Sequence, residues 1–305
     1  MAEKSVHIPS FLTRPPQTGG SQGIHREKPV SAEPSTTDHS AIHVMTLAQM
    51  TLDGAWHLEQ LHMRDHHLLI WITRGQGRLL LHGLRRGFGA HNAIFIPAGK
   101  LFAMDTGRHI QGQVLVVPAD GRVQLPDRTQ QLRMQDGLAQ AELTGLFDDV
   151  RREIHENRSF LAEALIAEAS LMSIWLRRQM QLVGAAPRAT AAERIVRRYC
   201  DLLADSFHTG KSMASYADEL EITPTHLTRV CRQCAGMTAA DMLTQMIQHE
   251  SRMLLKHSDM PINEIASELG FGSAAYFSRF SQQHFGASPS QIRKESPKGF
   301  LTAQK

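Results

Sequence analysis

The sequence predicts an α+β chain: an N-terminal β-barrel followed by helices, then an all-α C-terminal domain with two helix-turn-helix units. Three observations predict it. Short apolar runs broken by Gly, Asp and Asn fill residues 40–130. Apolar residues then step by three and four from Leu143 onward. Last, a segment beginning near 212 recurs at 261, about 50 residues later.

The chain has 305 residues, enough for two domains at roughly 100–200 residues each. Its 42% apolar and 21% charged residues describe a folding chain rather than a disordered one. Three cysteines, Cys200, Cys231 and Cys234, are too few and too odd in number for a disulfide framework. No run nears the ~18 apolar residues of a membrane span, and the first residues lack the apolar stretch of a secretory signal. A cytoplasmic protein with no membrane partner is expected. The net charge of +3 permits a polyanionic partner without requiring one.

Residues 1–38, rich in Pro, Gly, Ser and Thr, read as a disordered tail. In 39–135, His67–Thr73 and Arg78–His82 are predicted strands joined by a hairpin turn at Arg74-Gly75-Gln76-Gly77. A second glycine-rich turn is expected over Gly83–Gly89, and further strands at Ala93–Ile96 and Gln113–Val117. Residues 136–185 read as two amphipathic helices able to cover the barrel or pair two subunits. The break at Gly184-Ala185-Ala186-Pro187 leads into a helical domain over 186–298.

The repeat carries most of the information. Ser212–Ile222 (SMASYADELEI) aligns with Pro261–Phe271 (PINEIASELGF), so that Tyr216 meets Ile265, Ala217 meets Ala266 and Leu220 meets Leu269. Alanine in mid-helix lets a second helix cross closely after a tight turn. Leu227, Arg229, Val230 and Gly236 then meet Phe277, Arg279, Phe280 and Gly286. Thr223-Pro224 and Gly272-Ser273 offer caps for the two second helices, and Gly236 and Gly286 offer stops. Ala240–Lys256, with an apolar stripe, is long enough to connect the units rigidly.

The second unit, from Ile265-Ala266 through Gly270-Phe271, Tyr276-Phe277-Ser278-Arg279-Phe280, Phe285-Gly286 and Ser288-Pro289 to Arg293, resembles the signature of the AraC/XylS family of bacterial transcription regulators. The first unit, with Leu220, Thr223-Pro224-Thr225-His226-Leu227, Arg229 and Gly236-Met237-Thr238, is similar to the same family. The strand pattern of 40–130 resembles, more loosely, the cupin-like sensor domain common there. The resemblance implies a regulator of transcription, an activator by preference, whose partners are double-stranded DNA, RNA polymerase, a small-molecule effector in the barrel and a second copy of itself. It implies that base-facing residues stand at the front of each second helix: Thr225, Thr228 and Arg229, then Ser273, Ala274, Ala275, Ser278 and Arg279. Arg232, Gln282 and Gln283, a turn further on, are candidate phosphate partners. Arginine can bond guanine O6 and N7 together, whereas Ala274 and Ala275 reach at most a thymine methyl, so the first unit is expected to read more sequence. From residue 188 onward 14 Lys and Arg face 12 Asp and Glu, so any binding patch must be local.

Other chemistry is expected to be absent. Cys231 and Cys234 form a C-x-x-C inside the predicted recognition helix, without a second pair of ligands. The histidines of the first half lack the spacing of a cupin metal site, since His66 and His67 are adjacent and Lys100 stands where many cupins place a ligand. No cofactor, metal or catalytic residue is assigned. A metal-dependent cupin enzyme fused to a DNA-binding module, and a dimeric regulator without ligand, are the alternatives. Trp56, His62, Arg64, Trp71, Arg78 and Phe95 are candidate liners of a ligand pocket.

Overall fold

A computed structural model describes residues 42–105, 107, 109–184 and 188–295. The tail read over 1–38, the residues Ala185-Ala186-Pro187 and the last positions of the 186–298 domain lie outside that range. The described chain falls into two compact units that divide at Ala191.

The first unit begins with β1 (His43–Thr46) and two single-turn helices, α1 (Leu47–Met50) and α2 (Trp56–Glu59). Strands β2 (His66–Arg74), β3 (Gln76–Leu81), β4 (Leu84–Gly89), β5 (Asn92–Ile96), β6 (Phe102–Asp105), β7 (Gln111–Pro118) and β8 (Gln130–Arg133) follow. They form a five-stranded sheet, order β1-β7-β2-β5-β8, and a three-stranded sheet, order β4-β3-β6. Neighbouring strands in both sheets run antiparallel. Even-numbered residues of β2 (Leu68, Ile70, Ile72) meet Leu79, Leu81, Phe88, Phe102 and Met104 of the other sheet in one buried cluster. The space between the sheets is therefore filled by apolar side chains.

Odd-numbered residues face the other way. Leu69, Trp71, Phe95, Leu115 and Val117 pack under α3 (Gly137–Glu156) and α4 (Leu161–Val183), against Leu143, Phe147, Val150, Ala169, Met172 and Leu176. The buried Trp71 indole donates to Thr144 Oγ1 at 3.3 Å, fixing sheet to helix. Asp136 caps α3 by accepting from the amides of Leu138 and Ala139. Trp71 and Phe95 thus lie beneath the helices and do not line a pocket between the sheets. His62 and Arg64 are buried, and burial, then the Arg64 charge, holds the His62 imidazole well below the usual range, keeping it neutral.

The expected hairpin at Arg74–Gly77 is not one. Only Gly75 separates β2 from β3, and the two strands belong to different sheets, so the chain turns a corner there. Gly75 has φ 90°, and a Cβ on it would stand 2.9 Å from the His109 carbonyl oxygen. The true hairpin joins β3 to β4 through His82-Gly83, both left-handed (φ 47° and 80°), as a two-residue turn matched to strand twist requires. Gly83–Gly89, expected as a turn, is mostly strand β4.

The second unit holds α5 (Ala191–Ser206), a 3₁₀ turn (Phe207–Thr209), α6 (Met213–Glu219), α7 (Pro224–Ala235), α8 (Ala239–His257), α9 (Ile262–Glu268), α10 (Ala274–Phe285) and α11 (Pro289–Glu295). Its helix ends are specified locally. Ser212, Thr223, Thr238 and Ser273 each accept an amide of the first turn of their helices, and Gly236 and Gly286 close α7 and α10 in the left-handed conformation. Tyr216, Ala217, Leu220, Leu227 and Val230 are buried in the first repeat, as are Ile265, Ala266, Leu269, Phe277 and Phe280 in the second. The Tyr199 and Tyr216 rings meet edge-on at 5.6 Å, and their hydroxyls donate to the carbonyls of Ala239 and Ser206. Burial pushes the Tyr216 phenol up to about 12. Arg293 of α11 donates to the Met260 carbonyl at 2.6 Å, tying the last helix to the segment that precedes α9. No described helix is long and apolar enough to cross a membrane.

Candidate nucleic-acid interface

Helices α7 and α10 present matching faces. On α7, Leu227, Val230, Cys231 and Ala235 are buried, while Thr225, Arg229 and Arg232 are exposed and Thr228 is half-buried. On α10, Phe277, Phe280 and Ser281 are buried; Ala275, Arg279, Gln282 and Gln283 are exposed, and Ala274 and Ser278 are half-buried. Steps of three and four carry Thr225, Thr228, Arg229 and Arg232 along one side of α7. Ala275, Ser278, Arg279 and Gln282 occupy the equivalent side of α10.

Two of these residues have local duties as well. Ser273 is the N-cap of α10 and accepts from the Tyr276 amide, leaving its own hydroxyl hydrogen free to turn outward. Gln282 Nε2 donates to the Gly286 carbonyl at 3.1 Å, which leaves its side-chain oxygen as the outward group.

Two further residues belong to the face and were not among the sequence candidates. Arg229 donates to His226 Nδ1 at 3.3 Å, and since arginine can only donate, that nitrogen is the acceptor. At the equivalent place in the second unit, Arg279 lies over the Tyr276 ring, 5.7 Å from its centre, and Tyr276 is 40% exposed. In both units a ring three residues earlier on the helix holds the arginine. The signal was the repeat itself, which aligns His226 with Tyr276.

The C-x-x-C lies partly inward. Burial pushes the Cys231 thiol up to about 12, and burial followed by the Glu193 charge raises that of Cys234. Both thiols stay protonated at neutral pH, the unreactive form of a cysteine.

Behind the second repeat lies a cavity of about 70 Å³ lined by His208, Glu250, Leu254 and Glu268, among others. Burial, with the Glu268 charge beside it, pushes the Glu250 carboxyl up to about 7. His208 gives no compensating charge near neutrality, because burial lowers its pKa. An acid whose pKa rises on folding binds more protons when native. Stability is then fullest below the ordinary value of 4.5 and falls as pH climbs toward 7. The unfolding transition of this unit is expected to weaken by on the order of 2 kcal/mol across that window, and Glu250→Gln to flatten the decline. Thermal midpoints of both proteins between pH 5 and 8 check it; parallel pH profiles would count against the assignment.

With this geometry in view, the second unit is a double helix-turn-helix domain built on one connecting helix. Residues 216–295 match the family described as "Helix-turn-helix domain". The chain is 25% identical over 170 residues to the uncharacterized HTH-type transcriptional regulator YpdC of Escherichia coli, covering 56% of this chain and 55% of that one. It is 28% identical over 185 residues to the HTH-type transcriptional activator RhaS of Citrobacter koseri, covering 60% and 62%. Thus the matches span little more than half the length of these relatives. Among solved structures, ToxT of Vibrio cholerae is 13% identical, with 83% of this chain and 96% of that one covered at a TM-score of 0.40.

Proposed function

We propose that this protein is a sequence-specific DNA-binding regulator of transcription, acting as an activator in the cytoplasm. One observation carries the reading: a single rigid unit presents two equivalent solvent-facing helix faces, each with an arginine held by a neighbouring ring. Helix α8 has 19 residues, about 28 Å of rise, comparable to the ~34 Å of one duplex turn. Thr225, Thr228, Arg229, Ser278 and Arg279 are the base-facing set, with Ser273, Ala274 and Ala275 beside them. Arg232, Gln282 and Gln283 contact phosphates. RNA polymerase is the partner through which bound protein acts on a promoter. The N-terminal unit is the regulatory half, answering a small-molecule effector. A second copy of the chain pairs through α4, where Leu171, Leu182 and Val183 remain exposed after the inward stripe has covered the sheet.

Selection of duplexes from a random library by the full chain, repeated at several salt concentrations, tests the reading. Enrichment of an asymmetric site with two segments about 10 bp apart is the expected result. Recovery of unselected sequence at every salt concentration would overturn it.

A further inference from the structure

We propose that the rim where β4 and β8 meet binds a small dianion, a dicarboxylate or a phosphate, and so defines the chemical class of effector; this rests on reading the N-terminal unit as the regulatory half. Strands β4 and β8 are the outer strands of the two sheets. Side chains join their edges. Gln131 donates to the Gly87 carbonyl at 2.7 Å and to Asn92 Oδ1 at 3.0 Å, and the buried Asn92 amide donates to the Gly89 carbonyl at 2.9 Å. This bridge borders an open cleft of about 1340 Å³.

The register places two arginines on either side of the bridge. Arg86 pairs with Leu79, and Leu79 points into the space between the sheets, so Arg86 shares that face. Arg133 pairs with Asn92 and lies two residues from Gln131, the partner of the inward-pointing Ile94, so it too shares the inner face. Both arginines line the cleft, both are exposed, and neither makes an ion pair among the described residues. The cleft's remaining arginine, Arg78, stands directly opposite Asp105 in the β3–β6 register. Two guanidinium groups beside a fixed polar bridge form a fork for an anion with two charges.

Calorimetric titration of the full chain with inorganic phosphate, and separately with succinate, at low chloride tests the site. Saturable binding of at least one probe is expected, and which of the two binds tells phosphate from carboxylate. The double variant Arg86→Gln, Arg133→Gln should weaken it by at least about tenfold. Arg85→Gln, exposed on the opposite face of the same strand, should leave it unchanged. Absence of saturable binding by both probes, or equal binding by the double variant and the natural chain, overturns the proposal. DNA selection by the same preparations separates the two readings. A chain that selects DNA without binding either anion loses only the anion site, and one that binds the anion without selecting DNA loses only the regulator reading.

Discussion

Gly270→Ala is expected to destabilise the C-terminal unit by about 3 kcal/mol and to lower its thermal midpoint by roughly 10 °C or more. Two costs act together at this position. Gly270 has φ 77°, a conformation in which an L side chain is strained. A Cβ there would also stand 2.5 Å from both the Gly210 amide nitrogen and the His208 carbonyl oxygen, and backbone cannot move aside as a flexible side chain can. Gly210, itself left-handed, makes the approach mutual, since its own Cβ would fall 2.8 Å from the Gly270 oxygen. The turn of the second helix-turn-helix is thereby pressed against the segment that ends α5.

The first repeat supplies an internal control. Glu221 occupies the equivalent place, between Leu220 and Ile222, with the same left-handed backbone at φ 59°. Glu221 is exposed, so its side chain has room and only the conformational cost applies. Glu221→Gly should therefore be neutral to stabilising by up to about 1 kcal/mol. Calorimetric unfolding of both variants distinguishes the two costs. If Gly270→Ala lost no more than the strain of a left-handed residue, close approach to Gly210 would not be what makes glycine necessary.

That pair of positions also shows what the sequence made legible. Caps, stops and apolar spacing act over a few residues, so Thr223-Pro224, Ser273, Gly236 and Gly286 marked the ends of α7 and α10 without knowledge of the rest of the chain. The repeat doubled the signal by requiring each buried position to recur. The β half was less readable because strand partners are chosen over long distances. Arg74–Gly77 has the composition of a hairpin turn, yet β2 pairs with β5 and β7 while β3 pairs with β4 and β6. Nothing local distinguishes a strand that folds back from one that crosses to the facing sheet. The same ambiguity hid which way Trp71 and Phe95 point, because both faces of β2 and β5 are apolar: one meets the opposite sheet and the other meets α3 and α4. On the candidate interface, the exposed arginines could be read from position, whereas the repeat aligned His226 with Tyr276 without showing that either ring holds its arginine. An aromatic residue at Tyr276, beside the buried Phe277 and Phe280, looks like core until its exposure is known.

The largest effect on recognition is expected from Arg229→Ala and Arg279→Ala, measured on the duplex selected by the natural chain. A bidentate arginine–guanine contact is worth about 1–3 kcal/mol, so each single variant should bind roughly 5- to 150-fold more weakly and lose preference at one base pair. The two losses should differ in kind. Arg229 works beside Thr225 and Thr228, whose hydroxyls can still discriminate bases, so its removal should relax one position within a site that is otherwise read. Arg279 has Ala275 and Ala274 for neighbours, and without it the helix face retains only the Ser273 and Ser278 hydroxyls and the proposed phosphate partners Gln282 and Gln283. Its variant should bind that half of the duplex almost regardless of sequence. Salt dependence separates base from phosphate contact: an arginine neutralising a phosphate reduces the slope of log affinity against log salt by about 1 when removed. Arg232→Ala should show that reduction with sequence preference intact. The rings give a finer test, because an arginine already held in place loses less freedom when it meets a base. Tyr276→Ala should weaken selectivity at the Arg279 position while Tyr276→Phe preserves it, since the ring face and not the hydroxyl carries the contact. If both Tyr276 variants match the natural chain while Arg279→Ala is impaired, the guanidinium is positioned by the DNA alone.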